Sequence, residues 1–93
     1  MIVSFADKNT EKIYMGERVK IYSNELQHIV RRRLRMLHNS HTLNDLMVPP
    51  SNKLEKLKGA KRGRYSIRVN EQWRICFLWE AGNASEVELN DYH

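Results

Sequence analysis

The sequence predicts an α+β fold in which an N-terminal strand and helices pack on a small antiparallel sheet. Three short runs near the C-terminus alternate apolar and polar residues, as strands with one buried face do. An earlier segment repeats apolar residues at helical spacing. This segregation of helices and strands is typical of α+β folds. Because 93 residues are too few for two cores, we expect a single domain over residues 1–93.

The first residues predict a short strand followed by a short helix. Met1 to Phe5 is apolar and contains β-branched residues, which favours a strand at an edge or in the centre of the sheet. Thr10 to Met15 is compatible with one or two helical turns that stop at the glycine that follows. Further along, Thr42 to Met47 predicts another turn of helix, and the Pro49-Pro50 pair then requires an extended connection.

The clearest helix is predicted to begin after Ser23, a favourable N-cap, and to run to about His38. Its buried face is formed by the apolar residues Leu26, Ile29, Val30, Leu34 and Leu37. Its outward face is predicted to carry Gln27, His28, Arg31, Arg32 and Arg35. We interpret the arginines as a solvated helix face. The alternative is a surface that follows an RNA backbone.

The predicted strands of the sheet are Tyr65 to Val69, Trp73 to Trp79 and Glu86 to Asn90. Their apolar side chains must share one face, because residues paired across antiparallel strands point to the same side. A turn centred on Glu71 then places Arg68 opposite Arg74, on the face predicted to be solvated. Two adjacent guanidinium groups repel each other, so an anion would stabilise this pair.

The same alternation places the end of the last strand beside the start of the middle strand. Asp91, Tyr92 and His93 are therefore predicted to lie near Trp73 and Arg74. Two arginines, a carboxylate, a phenol and an imidazole at one corner of a sheet are suited to binding a phosphodiester.

Composition limits the partners and the compartment. A formal net charge of +5 fits a nucleic acid, an acidic protein or an anionic membrane surface. Cys76 is the single cysteine, so an intrachain disulfide is excluded. The chain has no apolar run long enough to span a bilayer and no signal-peptide pattern, and we expect a cytoplasmic protein without a membrane partner. The spacing of the histidines fits no metal motif, so neither a metal nor a cofactor is expected.

Lys53 to Gly63 is predicted to be a short strand-like or irregular segment followed by a mobile basic loop. Its basic residues are Lys53, Lys56, Lys58, Lys61 and Arg62. Leu54 and Leu57 are its only large apolar residues, so little of this segment can be anchored in the core.

The order of these elements, the basic linker and the C-terminal motif resemble HigB-type toxins of the RelE/ParE superfamily over essentially the whole chain. The segments that carry the resemblance are Lys53-Leu54-Glu55-Lys56-Leu57-Lys58-Gly59, Tyr65-Ser66-Ile67-Arg68-Val69, Trp73-Arg74-Ile75 and Asp91-Tyr92-His93. The resemblance implies a RelE-like microbial ribonuclease fold and a ribosome-dependent mRNA interferase that cleaves mRNA in the ribosomal A site, beside 16S rRNA. It also implies a HigA-like helix-turn-helix antitoxin as the partner, with a toxin–antitoxin heterotetramer as one assembly.

One residue departs from the pattern of this family. Many HigB-like toxins carry a histidine at the position that Glu55 occupies here. Three outcomes follow from this difference. Either Glu55 takes over the catalytic role of that histidine with a shifted pKa, or the terminal residues carry more of the catalysis, or the activity is weaker than in relatives with the histidine.

Metal-free RNA cleavage by 2′-hydroxyl attack requires a base, charge stabilisation at phosphorus and an acid for the leaving oxygen. We expect Arg74 to bind the scissile phosphate through its planar fork of donors. His93 is expected to be the general acid, because the terminal carboxylate favours its protonated form. Asp91 either accepts the 2′ proton or orients a neighbouring cation, and Tyr92 stacks on a base or contacts phosphate. The predicted RNA-binding residues are Lys56, Lys58, Lys61, Arg62 and Arg68.

Two other functions fit the same sequence. A ParE-like protein of this superfamily would inhibit DNA gyrase without cleaving RNA. A basic ribosome-binding module would use Arg68 and Arg74 to hold rRNA phosphate without chemistry. The terminal Asp91-Tyr92-His93 motif and the lysine-rich linker favour the nuclease over both.

Overall fold

A computed structural model describes residues 1–59 and 63–91 of the chain. In these residues, two α-helices precede an antiparallel sheet with the strand order β1-β2-β3-β4. The elements are α1 (Lys8–Tyr14), α2 (Asn24–Asn39), 3-10 turns at Leu43–Met47 and Pro50–Asn52, β1 (Glu55–Lys56), β2 (Arg64–Arg68), β3 (Trp73–Glu80) and β4 (Asn83–Asp91). The predicted α+β class is confirmed, and the strand-like part of the basic linker is the short edge strand β1.

Side-chain caps determine where the helices begin. The Asp7 carboxylate accepts hydrogen bonds from the backbone N–H groups of Asn9 and Thr10, so α1 begins at Lys8 rather than at the predicted Thr10. The Ser23 hydroxyl accepts from the backbone N–H of Leu26 and starts α2 where the sequence predicted.

Gln27 is buried rather than exposed, so its predicted place on the outward face of α2 is wrong. Its amide oxygen accepts from the backbone N–H of Val19 at 2.8 Å. Its amide nitrogen donates to the carbonyl groups of Val19 and Tyr22, both at 3.0 Å. These bonds replace water for a long polar side chain and tie the α1–α2 loop to the helix.

The N-terminal segment lies beside β4 at the edge of the sheet, in the parallel direction. Two isolated bridges, Ile2 to Ala84 and Phe5 to Val87, take the place of the predicted strand. The backbone N–H of Ile2 also donates to Nδ1 of His38 at 3.2 Å. The first residues are thus connected both to the sheet and to α2.

The hydrophobic core lies between the helices and one face of the sheet. The alternating strand residues Ile67, Ile75, Phe77, Val87 and Leu89 form one buried cluster with the helix residues Ile13, Val30, Leu34 and Leu37. Ile29, which the helical spacing also placed on the buried face, is half-buried against this cluster. The apolar periodicities of the sequence therefore identified the two surfaces that meet in the core.

The strand pairing agrees with the predicted alternation at the two positions that matter for the site. Arg68 pairs with Arg74 across β2 and β3, and Trp73 pairs with Asp91 across β3 and β4. The β3–β4 ladder shifts between Cys76 and Leu78, near Glu86, which has a φ of 49°. Beyond this bulge, Asn83, Ala84 and Ser85 still pair with β3, so β4 starts at Asn83, earlier than the predicted Glu86.

Among residues 1–59 and 63–91, no helix is both long and apolar enough to cross a membrane. In the same residues, no three His, Cys, Asp or Glu side chains are grouped as a metal ion would need.

Replacing Leu34 with alanine is expected to lower the free energy of unfolding by about 2–5 kcal/mol, because it removes a fully buried side chain and leaves a cavity. Urea unfolding followed by circular dichroism measures this change. The exposed Arg35→Ala variant on the same helix is the control and should change the stability by less than about 0.5 kcal/mol. Equal stability of the two variants would contradict the described core.

Candidate active site

The helices pack on one face of the sheet, and polar side chains occupy the other. Paired residues of antiparallel strands share a face, so the strand pairs place Glu55, Ser66, Cys76 and Glu88 in one row across the sheet. Arg68, Arg74 and Asn90 form the neighbouring row. We call the surface formed by these seven residues the polar face.

Arg74 is the most constrained side chain of the polar face. It is only 7% exposed, so the prediction that it lies on a solvated face is wrong. Its Nε donates to the hydroxyl of Ser66 at 2.8 Å, and its Nη2 donates to the carbonyl groups of Lys53 and Ser66. The predicted position opposite Arg68 is correct, but the chain around Lys53 covers the guanidinium.

The turn that carries Lys53 is held by Asn52, whose side chain is fully buried. The Asn52 amide donates to the carbonyl groups of Leu46 at 3.1 Å and Val48 at 3.2 Å. Lys53 itself adopts the left-handed conformation with a φ of 43°. The chain therefore reverses here and presents the Lys53 carbonyl to Arg74, which joins this turn to β2 and β3.

Glu55 and Arg68 are the accessible charged groups next to Arg74. An oxygen of Glu55 lies 4.0 Å from Nη1 of Arg74, and the Glu55 side chain is 55% exposed. Arg68 is half-buried, and it forms no ion pair with any residue that the structure describes. The polar face thus combines a fixed buried cation, a carboxylate at its rim and a second guanidinium that can accept an anion.

Asp91 lies at the end of the sheet where the sequence predicted, but not in the row of the arginines. It pairs with Trp73, one residue out of phase with Arg74, and its carboxylate accepts a hydrogen bond from the Gln72 amide at 3.1 Å. Tyr92 and His93 lie outside the described residues.

The predicted RNA-binding lysines lie in different places. Lys56 pairs with Tyr65, so strand alternation directs it to the face opposite Glu55. Lys58 is exposed just after β1. Lys61 and Arg62 belong to the part of the chain that the structure does not describe. Of the predicted RNA-binding set, the structure brings only Arg68 into the row of Arg74.

Sequence reasoning missed Ser66, Cys76, Glu88 and Asn90 as members of the polar face. The alternation that identified the buried face also contains this information, because every second residue of a strand points to the other side. Burial raises the pKa of the Cys76 thiol, and the nearby Glu88 carboxylate adds to that rise, while a hydrogen bond with the Asn90 side chain opposes it. Cys76 therefore stays a neutral thiol near pH 7.

A family model described as the RelE-like toxin of type II toxin-antitoxin system HigB matches residues 3–93. This chain belongs to the HigB-like toxin family. The resemblance seen in the sequence is thereby confirmed. Because a type II toxin is paired with an antitoxin, membership implies an antitoxin partner for this chain.

Relatives of this HigB-like toxin include two that carry the family name. Toxin HigB-1 of Vibrio cholerae serotype O1 is 36% identical over 93 residues, which cover 99% of this chain and 94% of the relative. Endoribonuclease HigB of Proteus vulgaris is 44% identical over 41 residues, which cover 44% of this chain and 45% of the relative.

The fold is shared with a solved structure. The YoeB dimer from Staphylococcus aureus superposes with a TM-score of 0.62 at 18% sequence identity, over 99% of this chain and 94% of that chain. At this identity the similarity concerns the arrangement of helices and strands alone.

Replacing Ser66 with alanine is expected to lower the free energy of unfolding by about 1–3 kcal/mol, because the buried Nε of Arg74 loses its acceptor. Chemical denaturation measures the change. The Ser85→Ala variant is the control, since its hydroxyl makes no hydrogen bond within the described residues. A Ser66 variant as stable as this control would contradict the bonding described for Arg74.

Cys76 is expected to react with a thiol reagent at least about tenfold more slowly in the folded protein than in urea, because it is 3% exposed and its pKa is raised. The raised pKa also gives a sign for stability. The neutral thiol stabilises the fold below the ordinary thiol pKa, and this contribution disappears as the pH rises through the higher pKa of the folded state. Absorbance assays of thiol modification measure the two rates, and urea unfolding between pH 7 and 10 measures the loss of stability. Equal rates with and without urea would contradict the burial of the thiol.

Proposed function

We propose that this HigB-like toxin is a metal-independent endoribonuclease that binds the ribosome in the cytoplasm and cleaves mRNA in the A site. The polar face is the observation that supports this proposal most. There Arg68 and Arg74 are paired beside the Glu55 carboxylate, and three hydrogen bonds fix Arg74. These groups lie on the side of the sheet away from the helices. A relative of this family carries the name endoribonuclease. We also propose that its partner is a helix-turn-helix antitoxin and that the two proteins form a heterotetramer.

The reaction begins with attack of the ribose 2′ oxygen on the adjacent phosphorus. As the new bond to phosphorus forms, Glu55, on the same face as the arginines, accepts the 2′ proton, and Asp91 orients a neighbouring cation. The bond to the 5′ oxygen then breaks, and His93 donates a proton to that oxygen. The products are a 2′,3′-cyclic phosphate on one fragment and a 5′ hydroxyl on the other, and no metal or cofactor is required.

The arginines stabilise the charge that develops on phosphorus. Arg68 contacts the phosphate first, because it is partly exposed and has no ion-pair partner among the described residues. Arg74 already faces Glu55 at 4.0 Å, so a phosphate that binds Nη1 directly competes with that carboxylate. Release of Glu55 from Arg74 leaves a carboxylate beside the substrate, where a base is needed.

The remaining proposed residues position the RNA. Tyr92 stacks on a base, which is worth about 1–3 kcal/mol for an aromatic side chain. The basic residues Lys56, Lys58, Lys61 and Arg62 add affinity for the RNA backbone.

Deletion of His93 is expected to slow mRNA cleavage on purified, programmed ribosomes by about 10²–10⁴-fold, the usual contribution of a general acid. Arg68→Ala should slow it by about 10²–10³-fold, because a donor to the developing charge is lost. Arg35→Ala, which lies on exposed helix surface, is the control and should cleave at the normal rate. Primer extension gives the rates and the cleavage sites.

Two results would reject the proposal. One is an undiminished cleavage rate after both changes to the site. The other is inhibition of gyrase supercoiling by the unaltered protein together with intact mRNA on the ribosome, which would favour the ParE-like function.

A further inference from the structure

A second charged site lies in the helix layer, away from the polar face. A cavity of about 210 Å³ opens where the end of α1 and the following loop meet the first turns of α2. Its lining includes Gly16, Glu17, Arg18, His28 and Arg31. The proposed cleavage reaction uses none of these residues.

Arg31 is built into the wall of this cavity. Its guanidinium packs against Gly16, and a Cβ atom at that position would lie 3.0 Å from Nη2 of Arg31. Gly16 has a φ of 87°, so a glycine there provides both the turn and the space for the guanidinium. The Nε of Arg31 is buried and has no hydrogen-bond partner within the described residues. The Nε of Arg33 is also buried without a partner in the same part of the chain, so Arg31 is distinguished by the packing of its guanidinium against Gly16 at the cavity wall.

Arg18 brings a second guanidinium to the same cavity from a different element. Its Nη1 donates to the carbonyl groups of Val19 and Tyr22, both at 2.7 Å, which holds the side chain in place. Gln27 bonds the backbone of Val19 and so fixes the loop against α2. Neither Arg18 nor Arg31 forms an ion pair with the residues of segments 1–59 and 63–91.

The size and chemistry of the cavity select the ligand. At about 210 Å³ it is smaller than the roughly 300–1,000 Å³ pockets that hold whole small molecules, but it has room for a phosphate group with some water. Guanidinium forks match phosphate oxygens in geometry and charge. A chain with a formal net charge of +5 attracts a polyanion such as RNA more strongly than a single carboxylate.

We propose that the cavity lined by Arg18 and Arg31 binds one backbone phosphate of ribosomal RNA and anchors the toxin while the polar face engages mRNA. The choice of ribosomal RNA rests on the proposed function. The cavity and the polar face lie on different sides of the sheet, so one molecule can contact two RNA strands at once.

The test is binding of the full-length protein to purified 30S subunits over a range of salt concentrations. Arg31→Ala and Arg18→Ala should each weaken binding about tenfold and reduce the slope of log K against log salt by about 1, as loss of one phosphate contact does. Arg32→Ala removes the same charge from an exposed neighbouring position outside the cavity and should change binding less than about threefold. Circular dichroism confirms that each variant folds.

The Arg31→Lys variant distinguishes specific binding by the guanidinium from nonspecific attraction by positive charge. It also replaces Arg31→Ala in the test if that variant does not fold. The lysine keeps the charge but lacks the planar fork, so we expect it to bind several-fold more weakly than the unaltered protein, with an almost unchanged salt slope. Equal losses for Arg31→Ala and Arg32→Ala would overturn the proposal, because they would indicate diffuse attraction along α2. Full binding by Arg31→Lys would overturn it for the same reason.

Two further measurements distinguish this proposal from the proposed nuclease function and from binding of an acidic protein. Cleavage of mRNA by the unaltered protein tests the proposed function separately. If no cleavage occurred, cavity-dependent binding to 30S subunits would still support the phosphate-binding role of the cavity. Binding of the cognate antitoxin to Arg31→Ala tests a protein carboxylate as the ligand. Loss of antitoxin binding with normal 30S binding would overturn the proposal in favour of an acidic protein partner.

Discussion

The buried guanidinium of Arg74 is the interaction on which the arrangement of the polar face depends. It joins β3 to β2 through Ser66 and joins both strands to the turn at Lys53. A buried cation is tolerated because Nε and Nη2 have acceptors and a carboxylate lies at 4.0 Å from Nη1. Together with the pairing of Glu55 with Ser66 and the Asn52 hydrogen bonds, these bonds hold the Lys53 turn beside the central strands.

The two faces of the sheet have different roles in this small protein. Apolar side chains on one face form the core with the helices, and this burial stabilises the fold. Polar side chains on the other face are held by that rigid sheet, so a ligand meets groups that are already positioned. Glu55 and Lys56 illustrate this difference between the faces, because strand alternation places these adjacent residues on opposite sides of the sheet.

The sequence predicted the sheet pairing well because alternation and pairing follow the same rule. Apolar residues at every second position define one face, and the pairs Arg68–Arg74 and Trp73–Asp91 follow from it. The burial of Arg74 could not be predicted in this way. It depends on a turn set by the amide of Asn52, and such a turn has no periodic signal.

Two other differences have the same origin. Gln27 occupies a helix position that looks solvated, but loop carbonyl groups satisfy its amide inside the fold. The bulge near Glu86 shifts the pairing of β4 without a glycine or proline to mark it. In both cases a specific hydrogen bond or backbone conformation outweighs the average preference of the residue type. The positions of Tyr92 and His93 stay predictions.

The most direct measurement is a structure of the His93-deleted variant bound to a ribosome with mRNA in the A site. We expect the scissile phosphate to lie against the polar face, within hydrogen-bond distance (about 3 Å) of Arg68, and Glu55 to have moved away from Arg74. An mRNA that passes along the helix layer, with the polar face turned away from the RNA, would contradict it.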